Sequence, residues 1–419
     1  MEVIKLLNGV IGALFFFCFA YQFFYLAVPF FKKARPHRET VYHSYAVLVS
    51  ARNEEAVIGG LVKSVLAQNY PQDKLRVFVV ADNCTDNTAE IAAQKGARVY
   101  TRFDKTRVGK GYALEALRRN IRRDFPEGFD GYFVFDADNV LMNDYVERMN
   151  ATFSQGNAIV TSYRNSKNYG DNWISAGYGL WFLRESKYLH YARTLLGTSC
   201  NVSGTGFLFS REVSDRIGDW PFHTLTEDIE FSIDQIIAGE KITFCPDAEF
   251  FDEQPRKFSQ SWHQRLRWSK GYLQVFGRYG GRLARGVGKG SFSCFDMCMT
   301  IMPAYILSAI SIVCNLFLCC RGLILGGDLR AAAVSILGLV LNMGLTVFAM
   351  GAVTTLTEWK KIHASPVKKL LYMFTFPLFM LTYVPISLAA LFWKGEWKPI
   401  AHTVTLKDGS LLLPSRKGS

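Results

Sequence analysis

Tyr132-Phe133-Val134-Phe135-Asp136-Ala137-Asp138-Asn139 is a short apolar run that ends abruptly in an acidic turn. Four β-prone residues with no polar alternation read as a strand buried on both faces, the pattern of a parallel sheet covered by helices. The stretches on its N-terminal side repeat the theme. Tyr45–Ser50 (YAVLVS), Leu75–Ala81 (LRVFVVA) and the shorter Ala97–Thr101 read as strands, and helical patterns separate them at Glu54–Ala67, Asp86–Lys95 and Lys110–Arg123. Another helix is expected around Asn143–Phe153. Strand and helix in alternation imply a doubly covered, mostly parallel α/β sheet. In such sheets ligands bind beyond the carboxyl ends of the strands, so the residues just after each strand are the ones to read.

Those residues are Ala51-Arg52-Asn53-Glu54-Glu55, Asp82-Asn83-Cys84-Thr85-Asp86 and Asp136-Ala137-Asp138-Asn139. Three polar, mostly acidic loops therefore converge on one edge. Carboxylates at i and i+2 after a strand can hold a hard divalent cation, Mg²⁺ or Mn²⁺, together with a diphosphate. Taken alone, Asp-x-Asp is also common in ordinary turns.

The chain carries further motifs, each with a plainer alternative. Val108-Gly109-Lys110-Gly111 opens a helix in a way that suits an anion, although a glycine turn with a surface lysine looks the same. Ser203-Gly204-Thr205-Gly206-Phe207 allows a close approach by backbone or ligand. Thr226-Glu227-Asp228 precedes a helix over Ile229–Ala238, where a carboxylate serves either as a first-turn charge or as a general base. Gln264-Arg265-Leu266-Arg267-Trp268 lies in a helical stretch, Lys257–Tyr279, with basic and aromatic faces. It can clamp phosphate and stack on a sugar, or anchor an interfacial helix. A Gly- and Arg-rich piece, Gly277–Gly290, is expected to link this stretch to the second long apolar run of the chain.

The apolar residues are concentrated outside this block. Leu6–Phe31, Met297–Cys320, Ala331–Thr357 and Leu370–Trp393 contain no Asp, Glu, Lys or Arg, and they hold 101 of the 419 residues. Each reaches the roughly 20 residues needed to cross a bilayer. A cleaved leader is not expected, because no small-residue cleavage site comes after the first run. Lys32, Lys33, Arg35 and Arg38 stand there instead and place that side in the cytoplasm by the positive-inside rule. Lys360, Lys361, Lys368 and Lys369 do the same for a later loop. Pro377 and Pro385 mark Leu370–Trp393 as the segment expected to be irregular, and the side of the C-terminus is left open. The nine cysteines form no paired CxxC pattern, and a reduced, cytoplasmic set is expected. The Asn-x-Ser/Thr triplets at Asn83, Asn150 and Asn201 are then chance matches. The net charge of +12 flanks the spans in large part, where anionic lipid accounts for it. No nucleic-acid-binding module is found, so nucleic acid is excluded as a partner. Mean hydropathy of +0.08 averages two unlike materials, an α/β enzyme and about a quarter of the chain in lipid.

Asp82, Asp136-x-Asp138, Thr226-Glu227-Asp228 and Gln264-Arg265-x-Arg267-Trp268 occur in this order, embedded between spans. The set resembles a membrane-integrated inverting glycosyltransferase of family 2, with cellulose, chitin and hyaluronan synthases as relatives. The resemblance covers residues 45–275 by motif. It implies an α/β fold of the GT-A, Rossmann-like type, a nucleotide-sugar-binding catalytic domain inserted between transmembrane helices. The expected divisions are an N-terminal span over 1–35, a cytoplasmic catalytic domain over 40–255, interface helices over 256–295, about three spans over 296–395 and a polar tail over 396–419.

The resemblance also implies residue roles. Asp228 would be the base, with Glu227 beside it in the catalytic set. Ala51, Asn53, Glu54, Asp82, Lys110, Asp136, Gln264, Arg265 and Arg267 would hold the donor. Gly204, Thr205 and Trp268 would line the acceptor site. Asp138, with Asp136, would hold the divalent cation. The implied donor is a UDP-sugar, UDP-glucose or UDP-N-acetylglucosamine, at an integral multi-pass plasma-membrane protein. The favoured acceptor is a growing β-linked polysaccharide, and the alternative is one transfer to a lipid. The sequence departs from cellulose synthases in lacking a clear Phe-x-Val-Thr-x-Lys element and a cyclic-dinucleotide-binding appendage. A second copy of the chain or accessory subunits are left open as partners.

Overall fold

The computed structural model describes residues 2–32, 40–324, 329–395 and 402. The chain divides into two compact units. A sheet unit comprises Pro29–Asn168 and Glu185–Gln254, with His402; a helical unit comprises Met1–Val28, Tyr169–Arg184 and Pro255–Gly395.

The sheet unit holds eight strands. They are β1 (Tyr45–Ala51), β2 (Leu75–Asp82), β3 (Arg98–Arg102), β4 (Gly131–Asp136), β5 (Val140–Leu141), β6 (Ile159–Ser166), β7 (Phe207–Ser210) and β8 (Ile242–Asp252). Their spatial order is β3-β2-β1-β4-β7-β6-β8-β5. The β3-β2-β1-β4 half is parallel throughout, as the alternation of strand and helix predicts. The other half departs from a mostly parallel sheet, because β7 runs antiparallel to both of its neighbours. The result is a mixed sheet.

Strand alternation divides the core between two faces. Val47, Val49, Val77, Val79, Phe133 and Phe135 share one buried cluster with Ile58, Leu61, Val62 and Val65 of the helix Ile58–Leu66, Ala92 of the helix Thr88–Gln94, and Tyr145 and Met149 of the helix Tyr145–Phe153. On the opposite face Phe78 packs edge-on against Phe125, 5.2 Å between centroids, just past the helix Lys110–Asp124. Each strand is thus buried from both sides, which is why the sequence shows apolar runs rather than alternation.

Parallel register brings the strand ends level. Ser50 lies opposite Asp136, Ala51 opposite Ala81, and Asp82 opposite Arg102. Because β7 runs antiparallel beside β4, Phe207 sits opposite Val134, and the loop before β7 arrives at the end of β4. Gly206 makes that approach possible. Its φ is +66°, and a Cβ there would collide with the Phe250 ring. Gly206→Ala combines left-handed strain with overpacking, each costing about 1–3 kcal/mol. The expected outcome is a melting temperature of the detergent-solubilised protein lowered by several degrees. A wild-type melting curve would disprove this account of the loop.

In the helical unit, Leu6–Phe31, Val340–Thr357 and Pro366–Phe392 are long and apolar enough to cross a membrane. Large apolar side chains face outward along them, including Phe16, Phe17, Phe23 and Phe24. The expected span Met297–Cys320 is not one helix. Pro303 has no N–H to continue a helix, so the helix Phe292–Ile301 ends at Met302 and a new one covers Pro303–Ile324. Several side chains of that second helix lie outside the described residues. The segment with two prolines breaks at Thr382, between Pro366–Leu381 and Tyr383–Phe392, just ahead of Pro385. The ring of Pro385 conflicts with a helical carbonyl at Leu381.

Two further divisions differ from expectation. Trp173–Arg184 groups with the helical unit rather than the catalytic block. It is almost wholly apolar, and Gly177 lets the Phe379 ring approach where a Cβ would collide. The helix expected over Lys257–Tyr279 runs on through the Gly- and Arg-rich piece, as Phe258–Gly288. Gly286 lies so close to Cys294 of the next helix that a Cβ would meet its Sγ, which explains a glycine inside a helix. Lys33, Arg35 and Arg38 of the basic run, and the expected tail apart from His402, lie outside the described residues.

Candidate active site

The site is built at the carboxyl ends of β1, β2 and β4. Lys110, in the first turn of the helix Lys110–Asp124, donates from Nζ to the Asp136 carboxylate and, at 2.7 Å, to the Gly204 carbonyl. Glu227 Oε1 lies 4.0 Å from the same nitrogen. Burial works against the lysine's charge, but Asp136, Glu227 and Asp228 outweigh it and raise its pKa. Lys110 therefore stays an ammonium at the centre of three carboxylates.

Glu227 and Asp228 occupy the first turn of the helix Glu227–Ile237. Gly204 lies against them, with φ of +83° and Asp228 Oδ2 3.7 Å from where a Cβ would stand. Ser232 ties the two elements together. Its hydroxyl donates to the Asp228 carbonyl at 2.8 Å and accepts the Val202 N–H at 2.9 Å. The expected acceptor residue Thr205 has a different use, because its hydroxyl is buried. It donates to Asn139 Oδ1 and accepts the Asp136 N–H at 2.9 Å, locking the end of β4 onto the loop. Its neighbour Gly204 is the member of the pair placed beside the carboxylates.

At the end of β2, Asp82 is buried and accepts from the Arg102 guanidinium, its register partner, and from Asn83 Nδ2 at 3.2 Å. Ala51 ends β1. Asn53 adopts a left-handed φ of 56°, and its Oδ1 accepts the Thr85 N–H at 2.8 Å, which joins the loops after β1 and β2. The Glu54 N–H donates to Thr88 Oγ1 at 2.8 Å, and its carboxylate meets His402 Nδ1 at 2.9 and 3.1 Å.

Asp138 is buried and flanked by cations. Burial alone would raise its pKa; His402 and Lys167, with the Glu253 N–H and Arg164, outweigh it and hold the carboxyl below its usual range. Asp138 Oδ2 accepts the Glu253 N–H at 2.7 Å. Burial also opposes the charge on His402, but Asp138, Glu54 and Glu253 prevail and push its pKa up to about 10. Asp252, at the end of β8, accepts from Arg164 and from Gln254 Nε2 at 2.6 Å. Burial and the neighbouring Asp138 raise its pKa to about 6 against the pull of Arg164.

The residues present fit a hard divalent cation. Asp136 and Asp138 offer carboxylate oxygens at i and i+2, with Asp138 kept ionised although buried. Among the described residues no group of three or more His, Cys, Asp or Glu is placed to cage a metal alone. Two carboxylates leave room for a phosphate-bearing partner to complete the shell, as Mg²⁺ and Mn²⁺ sites commonly do.

The Gln264–Trp268 element belongs to the helical unit. Arg265 is fully buried there, donating to the Phe379 carbonyl at 3.2 Å and Thr382 Oγ1 at 2.7 Å, with its guanidinium over Phe379 and Tyr383. This arginine, expected on a diphosphate, instead holds the helix break at Thr382. Trp268 packs edge-on to Tyr178, 5.8 Å between centroids, and Gln264 Oε1 is buried with no partner among the described residues. Arg267 is half-buried.

Sequence reading missed Lys167, Arg164, Asp252, Glu253 and His402. Lys167, Asp252 and Glu253 sit at or just after the ends of β6 and β8, so the same rule of reading at strand ends would have found them had those strands been assigned, whereas Arg164 lies within β6. His402 left no local trace, being 348 residues from its partner Glu54.

The chain is similar to known proteins in sequence and in fold. The chain is 28% identical over 255 residues to the "Probable glycosyltransferase YdaM" of Bacillus subtilis, covering 55% of each. It is 28% identical over 241 residues to the "Beta-monoglucosyldiacylglycerol synthase" of Synechocystis sp., covering 56% of this chain and 49% of that one. The chain thus spans about half the length of the curated relatives it matches. Among solved structures it is similar to the mannosyltransferase PcManGT of Pyrobaculum calidifontis, solved with GDP-Man and Mn²⁺. The TM-score is 0.59 at 17% identity, over 93% of this chain and 100% of that one, and this likeness shows a shared GT-A fold. The model described as "Glycosyltransferase like family 2" matches residues 43–271, more than half of the chain, and to that family of enzymes this protein belongs.

Proposed function

We propose that the protein moves a single sugar, with inversion, from a UDP-sugar to a hydroxyl of a membrane lipid, at the cytoplasmic face of the membrane that its apolar helices span. The observation that carries the chemistry is the Asp228 carboxylate beside Gly204, the residue whose carbonyl accepts from the Lys110 ammonium. In a single displacement the acceptor hydroxyl loses its proton to Asp228 as its oxygen attacks the anomeric carbon. Lys110, between Asp136 and Glu227, provides fixed positive charge near the departing diphosphate. Glu227 keeps Lys110 charged, and Asp82 with the Asn53 loop forms the floor for the nucleoside. A divalent cation on Asp136 and Asp138, when bound, would neutralise the diphosphate as its charge develops. Arg265 braces the Gln264–Trp268 helix within the helical unit.

The lipid acceptor is supported by the name of the Synechocystis relative and by three helices of membrane-spanning length. A growing polysaccharide is the second reading, favoured by the Gln264-Arg265-Leu266-Arg267-Trp268 element and its resemblance to polymer synthases. Incubation of the purified protein with radiolabelled UDP-glucose or UDP-N-acetylglucosamine and diacylglycerol-containing vesicles separates the two. One organic-soluble glycolipid is the expected product. A size ladder or high polymer would replace the lipid reading with the second.

A further inference from the structure

The loop before β7 is held by Lys110 on the Gly204 carbonyl and by Ser232 on Val202. One more tie comes from a segment with no assigned task. Glu185–His190 forms a π-helical turn immediately after the helix Trp173–Arg184. Such turns are rare and recur at functional sites. Its first residue, Glu185, receives the Ser203 hydroxyl on Oε2 at 3.0 Å, and its side chain is only 15% exposed. The Ser203 carbonyl meanwhile accepts from Arg164 at 2.9 Å. Ser203 is thus pinned by both its side chain and its backbone, and the next residue is Gly204, whose left-handed turn faces Asp228.

We propose that Glu185 is a positioning residue for the acceptor. Through the Ser203 hydroxyl it fixes the turn at Gly204, and so sets the gap between that turn and the Asp228 carboxylate where the acceptor hydroxyl enters. The inference rests on the reading of Asp228 as the base and of this loop as the acceptor wall. The π turn has a purpose in this arrangement: it aims Glu185 at Ser203. Glu185 Oε1 also lies 3.9 Å from His190 Nε2; the bond to Ser203 itself asks only for an accepting oxygen, which a glutamine also supplies.

The test compares Glu185→Leu, Glu185→Gln and Ser203→Ala in nanodiscs with UDP-glucose and diacylglycerol. Glu185→Leu and Ser203→Ala are expected to lower kcat/KM for the acceptor about tenfold, the scale of one hydrogen bond. The donor KM and the melting temperature should not move. Glu185→Gln still accepts the hydroxyl and should stay within about twofold of wild type. The double variant Glu185→Leu/Ser203→Ala should be no worse than either single one. Hydrogen–deuterium exchange gives a readout that needs no acceptor: the amides of residues 201–206 should exchange faster in Glu185→Leu and normally in Glu185→Gln. Wild-type exchange and kinetics in Glu185→Leu would overturn the proposal, as would a Gln variant as impaired as Leu. Failure of the underlying reading shows differently, as full transfer by Asp228→Asn or absence of glycolipid with the wild-type protein.

Discussion

Asp228→Asn is expected to bind UDP-sugar as the wild type does and to transfer it about 10²–10⁴-fold more slowly, the range lost with a general base. The change is nearly isosteric, so packing around the helix Glu227–Ile237 should survive; Ser232 reaches the Asp228 carbonyl rather than its side chain. What disappears is the capacity to take a proton. Lys110 keeps Asp136 and Glu227 as counter-ions, so the charge that faces the donor changes little. Isothermal titration with UDP and a product assay on the same preparation separate the two effects. Loss of UDP binding in step with turnover would mean that Asp228 serves the donor, and undiminished transfer would remove it from the mechanism altogether.

The edge formed by β1, β2 and β4 was legible in the sequence for a definite reason. β1, β2 and β4 are buried on both faces, so their apolar runs stand out, and the acidic residues that follow them can be read as one edge. The helix carrying Asp228 was equally plain. The far half of the sheet was not. β6 reads IVTSYRNS and β8 reads ITFCPDAEFFD, strands in which several polar residues, among them Ser162, Asn165 and Asp252, are buried because their partners lie across the fold. Ser162 is satisfied by the Gly206 carbonyl and by Tyr145, and Asn165 by Glu249. A local pattern cannot show a bond to a residue dozens of positions away. The same limit hid the roles of Thr205 and Arg265. Their motifs marked them as notable, but only burial shows that one locks the end of β4 and the other seals a helix break.

Removal of divalent cations is expected to abolish transfer, and Mg²⁺ or Mn²⁺ to restore it, because the acidic edge cannot receive a diphosphate unaided. Glu54, Asp136, Asp138, Glu227, Asp228, Asp252 and Glu253 crowd the strand ends. Lys110, Lys167, His402 and Arg164 answer them, and each of these cations is bound to a partner on that edge or close to it in charge. A donor diphosphate brought to this balance would add negative charge beside Asp136 and Asp138, and at an effective dielectric near 20 a like pair about 4 Å apart costs about 4 kcal/mol. A divalent cation reverses that sign. Asp138→Asn should therefore weaken UDP binding in the presence of Mn²⁺ and strengthen it in chelator, where one repelling carboxylate is gone, so that the metal dependence itself collapses. The buried cations around Asp138 lose their counter-charge in that variant, a change that costs about 3–5 kcal/mol when a buried pair is broken. Lys167→Met/Asp138→Asn restores part of the charge balance and keeps the comparison readable if the single variant folds poorly. UDP affinity equal with Mn²⁺ and with EDTA in the wild type would exclude this role for the Asp136–Asp138 pair.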